Sequence, residues 1–134
     1  MNLINNIPTR GQLQRTLSQR IQAFYRDRLG QQPSKVTCQL FDEKLVVILE
    51  DSITNAEELL INKGQQQLAR EVRENLDDAI GPELKSLIED IIGVEVDDIL
   101  SDATLTTGRS GIIAVLSTTP ELRGTASASK SKKK

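Results

Sequence analysis

The chain is predicted to fold as one α+β domain of two layers, with a four-stranded antiparallel sheet and helices on one of its faces. Three observations predict it. Apolar residues recur at helical spacing over residues 9–29 and 54–92. They alternate, or gather in short bursts bounded by turn residues, over 35–51 and 94–118. The order is therefore helix, hairpin, helices, hairpin, and two hairpins that merge into one sheet leave the helices to cover a single face. The 134 residues suit one domain, since domains cluster near roughly 100–150 residues.

The first helix is signposted at both ends. Thr9 and Gln12 have capping-box spacing, in which each side chain satisfies the other's backbone N–H. Leu13, Leu17, Ile21, Phe24 and Tyr25 then gather on one face, and Gly30 follows Leu29 as a left-handed cap. Arg15 and Arg26 share the opposite, wetter face. In the first hairpin Val36, Cys38 and Leu40 alternate with polar residues, and Asp42-Glu43 makes a turn without the glycine that tight turns prefer. The run Leu45-Val46-Val47-Ile48-Leu49 reads as a central strand buried on both faces.

Thr54-Asn55-Ala56-Glu57 is a second capping box, opening a short helix through Ile61. After Gly64, Leu68, Val72, Leu76 and Ile80 repeat every four residues, and Leu84, Leu87, Ile88 and Ile91 continue to Gly93. Residues 65–92 are expected to be helical with a kink at Pro82, whose ring removes one hydrogen bond. The second hairpin covers Val94 to Leu105 and Ser110 to Thr118, joined by Thr106-Thr107-Gly108-Arg109. Residues 1–8 read as an N-terminal extension and 9–119 as the domain. Residues 120–134, ending in Lys130, Lys132, Lys133 and Lys134, read as a disordered tail too poor in apolar side chains to offset chain entropy.

Composition excludes much chemistry. Histidine is absent, which removes the commonest general base, zinc ligand and near-neutral switch. The single cysteine forms no internal disulfide and suits a reducing compartment. Without imidazole to activate it, Cys38 reads as a buried, inert thiol. No apolar run spans a bilayer and the start lacks the pattern of a signal peptide, so the expected location is cytoplasmic. The net charge of −2 conceals segregation. Residues 1–41 and 103–134 each carry six bases and one acid, whereas 42–102 carry five bases and seventeen acids. A soluble surface with a basic tail explains this, and head-to-tail attraction between chains is the sharper reading.

No constellation reads as catalytic. Glu95, Asp97, Asp98 and Asp102 are the metal candidates, but they lack the glycine-centred spacing of a calcium loop. A charged edge strand, guarded against unwanted pairing, is preferred. In a regular strand Glu95 and Asp97 would share one side, and Asp98 and Asp102 the other. The pairs Glu57-Glu58 and Asp77-Asp78 read as surface charge, because helical neighbours diverge by about 100°. Gly108 and Arg109 have the makings of an anion-binding loop, but the lysine of a phosphate loop is missing and a hairpin turn needs the same residues. Arg10, Arg15, Arg26 and the four terminal lysines form a candidate basic surface for nucleic acid or an anionic layer. With no interleaved aromatic to stack on bases, nucleic acid is the less favoured partner. No cofactor is indicated.

Several stretches resemble the MpsC-like family: Thr9-Arg10-Gly11-Gln12-Leu13, Leu29-Gly30, Leu84 to Val94 ending in Ile91-Ile92-Gly93-Val94, and the later Ser101-Asp102 and Thr107-Gly108. The likeness runs from about Thr9 to Thr118. It implies a small cytoplasmic protein connected with a proposed sodium-translocating system that generates membrane potential, whose partner components resemble bicarbonate-uptake machinery. It supplies no catalytic motif. The expected function is thus a non-enzymatic accessory or regulatory protein, a homodimer, acting through protein contacts near a membrane transport system and without inserting into the bilayer itself. The alternatives are an anionic-surface or nucleic-acid binder and a small-ligand sensor.

Overall fold

A computed structural model describes residues 7–124. Most of the expected N-terminal extension, and the terminal lysines Lys130, Lys132, Lys133 and Lys134, lie outside the described residues. Seven elements follow in the expected order: α1 (Arg10–Leu29), β1 (Lys35–Phe41), β2 (Lys44–Glu50), α2 (Asn55–Asn62), α3 (Gln66–Ile92), β3 (Val96–Thr104) and β4 (Arg109–Leu116). The strands form one antiparallel sheet in the order β1-β2-β4-β3. The second strand of each hairpin therefore lies at the centre, where β2 meets β4.

Local chemistry sets the boundaries. Both capping boxes form, at Thr9–Gln12 and Thr54–Glu57. Gly30 and Gly93 close α1 and α3 in the left-handed conformation that glycine adopts without steric cost. Asp42 turns the first hairpin at φ 52°, a region that Asp tolerates better than most residues because its short side chain bonds locally. Helix α3 runs unbroken through Pro82, where the sequence suggests a joint. Pro82 and Asp78, four residues before it, are both exposed, so water can take the carbonyl that the ring leaves unpaired.

The core lies between the sheet and the two long helices. Leu13, Leu17, Ile21 and Tyr25 of α1 and Ile80, Leu84, Ile88 and Ile92 of α3 pack on Leu40, Leu45, Val47, Leu49, Ile112, Ala114 and Leu116. Cys38 is buried on this inner face, and burial pushes its thiol pKa up. At β3 a bulge between Val96 and Asp98 lets Val96 and Ile99, three residues apart, both meet the core. Leu122 joins the core as well, Pro120 is buried, and the Arg123 N–H donates to the Pro8 carbonyl at 2.8 Å. The packed chain thus reaches into the stretch that composition assigns to the tail.

The stripe expected along the first half of α3 does not face the core. Leu68 is exposed, and Ala69 and Arg73 are buried in its place. Steps of four overshoot the helical turn, so Leu68 points about 120° away from Ile80, whereas Ala69 and Arg73 lie within about 20° of it.

Candidate functional site

Two features stand out: a polar network buried between α2, α3 and the sheet, and an apolar sheet face that none of the described elements covers.

The network centres on Glu57, fully buried, and Arg73, 3% exposed. Arg73 Nε and Nη2 donate to the two Glu57 carboxylate oxygens at 2.8 and 2.7 Å, the bidentate geometry that favours arginine over lysine. Nη2 also donates to the Ser52 carbonyl at 3.0 Å, and Nη1 to Asp77 at 3.3 Å. Glu57 Oε1 accepts the Thr54 N–H and hydroxyl at 3.0 and 2.8 Å. Ser52 continues the network into the second hairpin through the Ser110 hydroxyl at 2.7 Å and the Gly108 carbonyl at 3.1 Å. Burial opposes the charge on Arg73, but the hydrogen bonds and negative charge of Glu57 outweigh it and raise its pKa. Asp77 moves up too, because its own burial exceeds the help it receives from Arg73. The same direction favours the charged form of Arg73 and opposes that of Asp77, because Arg73 has a fully engaged carboxylate in Glu57 while Asp77 has one long contact. Among the described residues no buried side-chain N or O lacks a hydrogen-bond partner, so the network is closed.

The expectation that Glu57 and Asp77 are surface charge is therefore wrong: Glu57 is buried and Asp77 half-buried. Spacing between neighbours cannot reveal this. The signal was the capping box, which already turns Glu57 back into the structure, together with the line from Ile80 through Arg73 to Ala69. Two clefts flank the network, meeting at Leu105. One, of about 450 Å³ between α3 and β3, is lined by Arg70, Glu74, Asp77, Asp78 and Asp102 among others. The other, of about 440 Å³, lies beside Asp51, Asn55, Glu58 and Thr107.

The outer face of the sheet is the second feature. Gln39, Val46, Ile113 and Leu100 form one row across the four strands, and Thr37, Ile48, Gly111 and Asp102 the next. Phe41, Lys44, Val115 and Asp98 form a third. Phe41, Ile48, Leu100 and Ile113 are all exposed, Leu100 at 59%. A shallow groove of about 320 Å³ runs over Gly111 between Ile48, Ile113 and Leu100. The apolar bursts in β2 and β4 are thus buried on one face only, because all three helices lie on the other side.

The residues singled out from the sequence scatter. Asp98 and Asp102 share the outer face with Leu100 between them, while Glu95 precedes β3 and Asp97 occupies the bulge. Among the described residues no group of three or more acidic or thiol side chains is placed to hold a metal ion. The Gly108 N–H donates to the Thr104 carbonyl at 2.9 Å, and Arg109 pairs with Glu50 at 2.8 Å, both within the hairpin and its neighbouring strand. Arg10 donates to the Leu40 carbonyl and Arg26 pairs with Asp27 at 3.0 Å, while Arg15 is exposed. No helix among the described residues is long and apolar enough to cross a membrane.

Fold and surface together define a small two-layer α+β protein whose antiparallel sheet is open on one side. The chain belongs to the MpsC family: the family described as Na+-translocating membrane potential-generating system (MpsC) matches it over residues 9–118. No curated protein and no solved structure matches the chain.

Proposed function

We propose that the chain is a non-catalytic, cytoplasmic accessory or regulatory protein of a membrane potential-generating system, and that it works as a homodimer through protein contacts. The observation that carries this reading is the bare apolar sheet face. Contiguous exposed apolar surface rimmed by polar residues is characteristic of interaction sites; here Ile48, Ile113 and Leu100 line one groove, and Phe41 is exposed on the same face. Family membership supplies the membrane system. The lack of histidine and the closure of the ionic network weigh on the side of binding over turnover. Light scattering on the purified chain at tens of micromolar is expected to return twice the 14.8 kDa chain mass, and a strict monomer would overturn the dimer.

The clefts flanking Arg73 favour a small-ligand sensor as the second reading. A ligand held by the native state alone raises the melting temperature. A thermal-shift panel of nucleotides, bicarbonate and divalent cations tests it, and a flat response removes it.

A further inference from the structure

We infer that the bare sheet face docks on the same face of a second copy, about a two-fold axis running along the strands, so that Ile48 of each copy lies over Gly111 of the other. This rests on the dimer reading above and names its contact surface.

Gly111 is the first observation. It lies inside β4, a central strand, where glycine forfeits backbone entropy and side-chain packing. Its φ is not in the left-handed region, and a Cβ built on it would meet only Ile48 Cδ1, at an ordinary 3.7 Å. Among the described residues nothing calls for a glycine there. A glycine in a strand with room for a side chain marks the approach of another body, and the groove of about 320 Å³ above Gly111 is the space left for it.

The sheet edges are guarded and its face is not. Along β1, Gln14 accepts the Leu40 N–H at 2.8 Å and Arg10 donates to the Leu40 carbonyl. Along β3, Glu89 accepts the Val96 N–H at 2.9 Å, and the bulge and exposed acids oppose strand addition. A second copy is therefore directed to the face, where two sheets pack about 10 Å apart with strands roughly aligned.

Charge selects the axis. On this face the acids Asp98 and Asp102 lie on β3, while Lys44 lies on β2 beside Phe41 of β1. A two-fold axis across the strands would stack β3 on the partner's β3 and set acid against acid, which complementary interfaces avoid. An axis along the strands lays β3 over the partner's β1 and β2 over the partner's β4. Asp98 then comes beside the partner's Lys44, Val46 over the partner's Ile113, and Ile48 over the partner's Gly111. Lys44 is exposed, and among the described residues its ion pair is a long one, with the neighbouring Glu43 at 3.5 Å.

The test is sedimentation equilibrium of the full chain and four variants, with far-UV circular dichroism to verify folding. Ile48→Glu is expected to give a folded monomer. Gly111→Val, which the isolated chain can accommodate, is expected to weaken association about tenfold or more by filling the groove. Lys44→Glu and Asp98→Lys should each weaken it by roughly fivefold, and an equimolar mixture of the two should recover wild-type affinity, because only the mixed dimer pairs opposite charges at both contacts. A wild-type dimer that Ile48→Glu and Gly111→Val leave intact overturns the docking surface while the dimer stands. A mixture no tighter than its components overturns the axis. A wild-type chain that stays monomeric overturns the dimer itself.

Discussion

Arg73 ties α3 to α2 through Glu57 and to the segment after β2 through the Ser52 carbonyl, and the Ser52 hydroxyl carries the link on to Ser110 of β4. A buried ion pair is weak evidence of net stabilisation, since desolvation offsets most of the attraction, but removing one partner strands a charge in the interior. Arg73→Met is therefore expected to cost about 3–5 kcal/mol, read as a fall in the urea midpoint. Adding Glu57→Leu should recover much of the loss, which a purely steric role for Arg73 would not allow. Tyr25 offers a second test at this scale. Burial, with a smaller contribution from Asp77, raises its phenol pKa far above the ordinary 10.0. The folded state thus holds this proton more tightly than the unfolded chain. The associated stability is intact below about pH 10 and is lost progressively above it. Because this is the protein's single tyrosine, phenolate absorbance near 295 nm reports on it alone. The native protein is expected to show none at pH 11, with the signal emerging only as the helical circular dichroism collapses. Titration at the ordinary value in a still-folded protein would contradict the burial.

The two capping boxes share a sequence pattern and differ in surroundings, which makes elements separable by mutation. Thr9 caps α1 at a partly exposed site with one accepted hydrogen bond at 3.1 Å. Thr54 is buried and also donates its hydroxyl to Glu57. Thr9→Ala should cost about 1 kcal/mol and Thr54→Ala about 2 kcal/mol, since the second also withdraws a donor from a buried carboxylate. Equal urea midpoints for the two variants would show that the network does not depend on its cap. Caps, turns and strand alternation are local, so all seven elements were legible along the chain. What the sequence hid depends on which bodies surround each element. Leu45 to Leu49 reads the same whether one face or both are covered, and only the placement of every helix on one side leaves Ile48 bare. Leu68 appeared to belong with Ile80 because a four-residue repeat resembles a stripe until its drift is summed over three turns. Leu122 looked like tail because a single leucine among polar residues carries no periodicity.

At the scale of the molecule, the inner core is complete within one chain: α1 and α3 close over the inner face of the sheet without help from a second copy. Folding and association are therefore separable, unlike in dimers whose protomers have no core of their own. Association then adds stability by mass action, about 2.7 kcal/mol when the concentration reaches a hundred times the dissociation constant. For a domain of this size that corresponds to a rise of roughly 10 °C in melting temperature. Calorimetry over a hundredfold concentration range is expected to show this rise in the wild type. Ile48→Glu should melt cooperatively at one temperature throughout, close to the wild-type value at low concentration. An unfolded Ile48→Glu chain would mean that the outer face is part of the core of an obligate dimer. A wild type whose melting temperature ignores concentration would mean that the apolar face stays wet. The charged pairs across the interface add a dependence on salt. Screening weakens the Lys44–Asp98 contacts between copies but leaves the apolar centre of the interface untouched, so the concentration-dependent rise should shrink modestly and persist at high ionic strength.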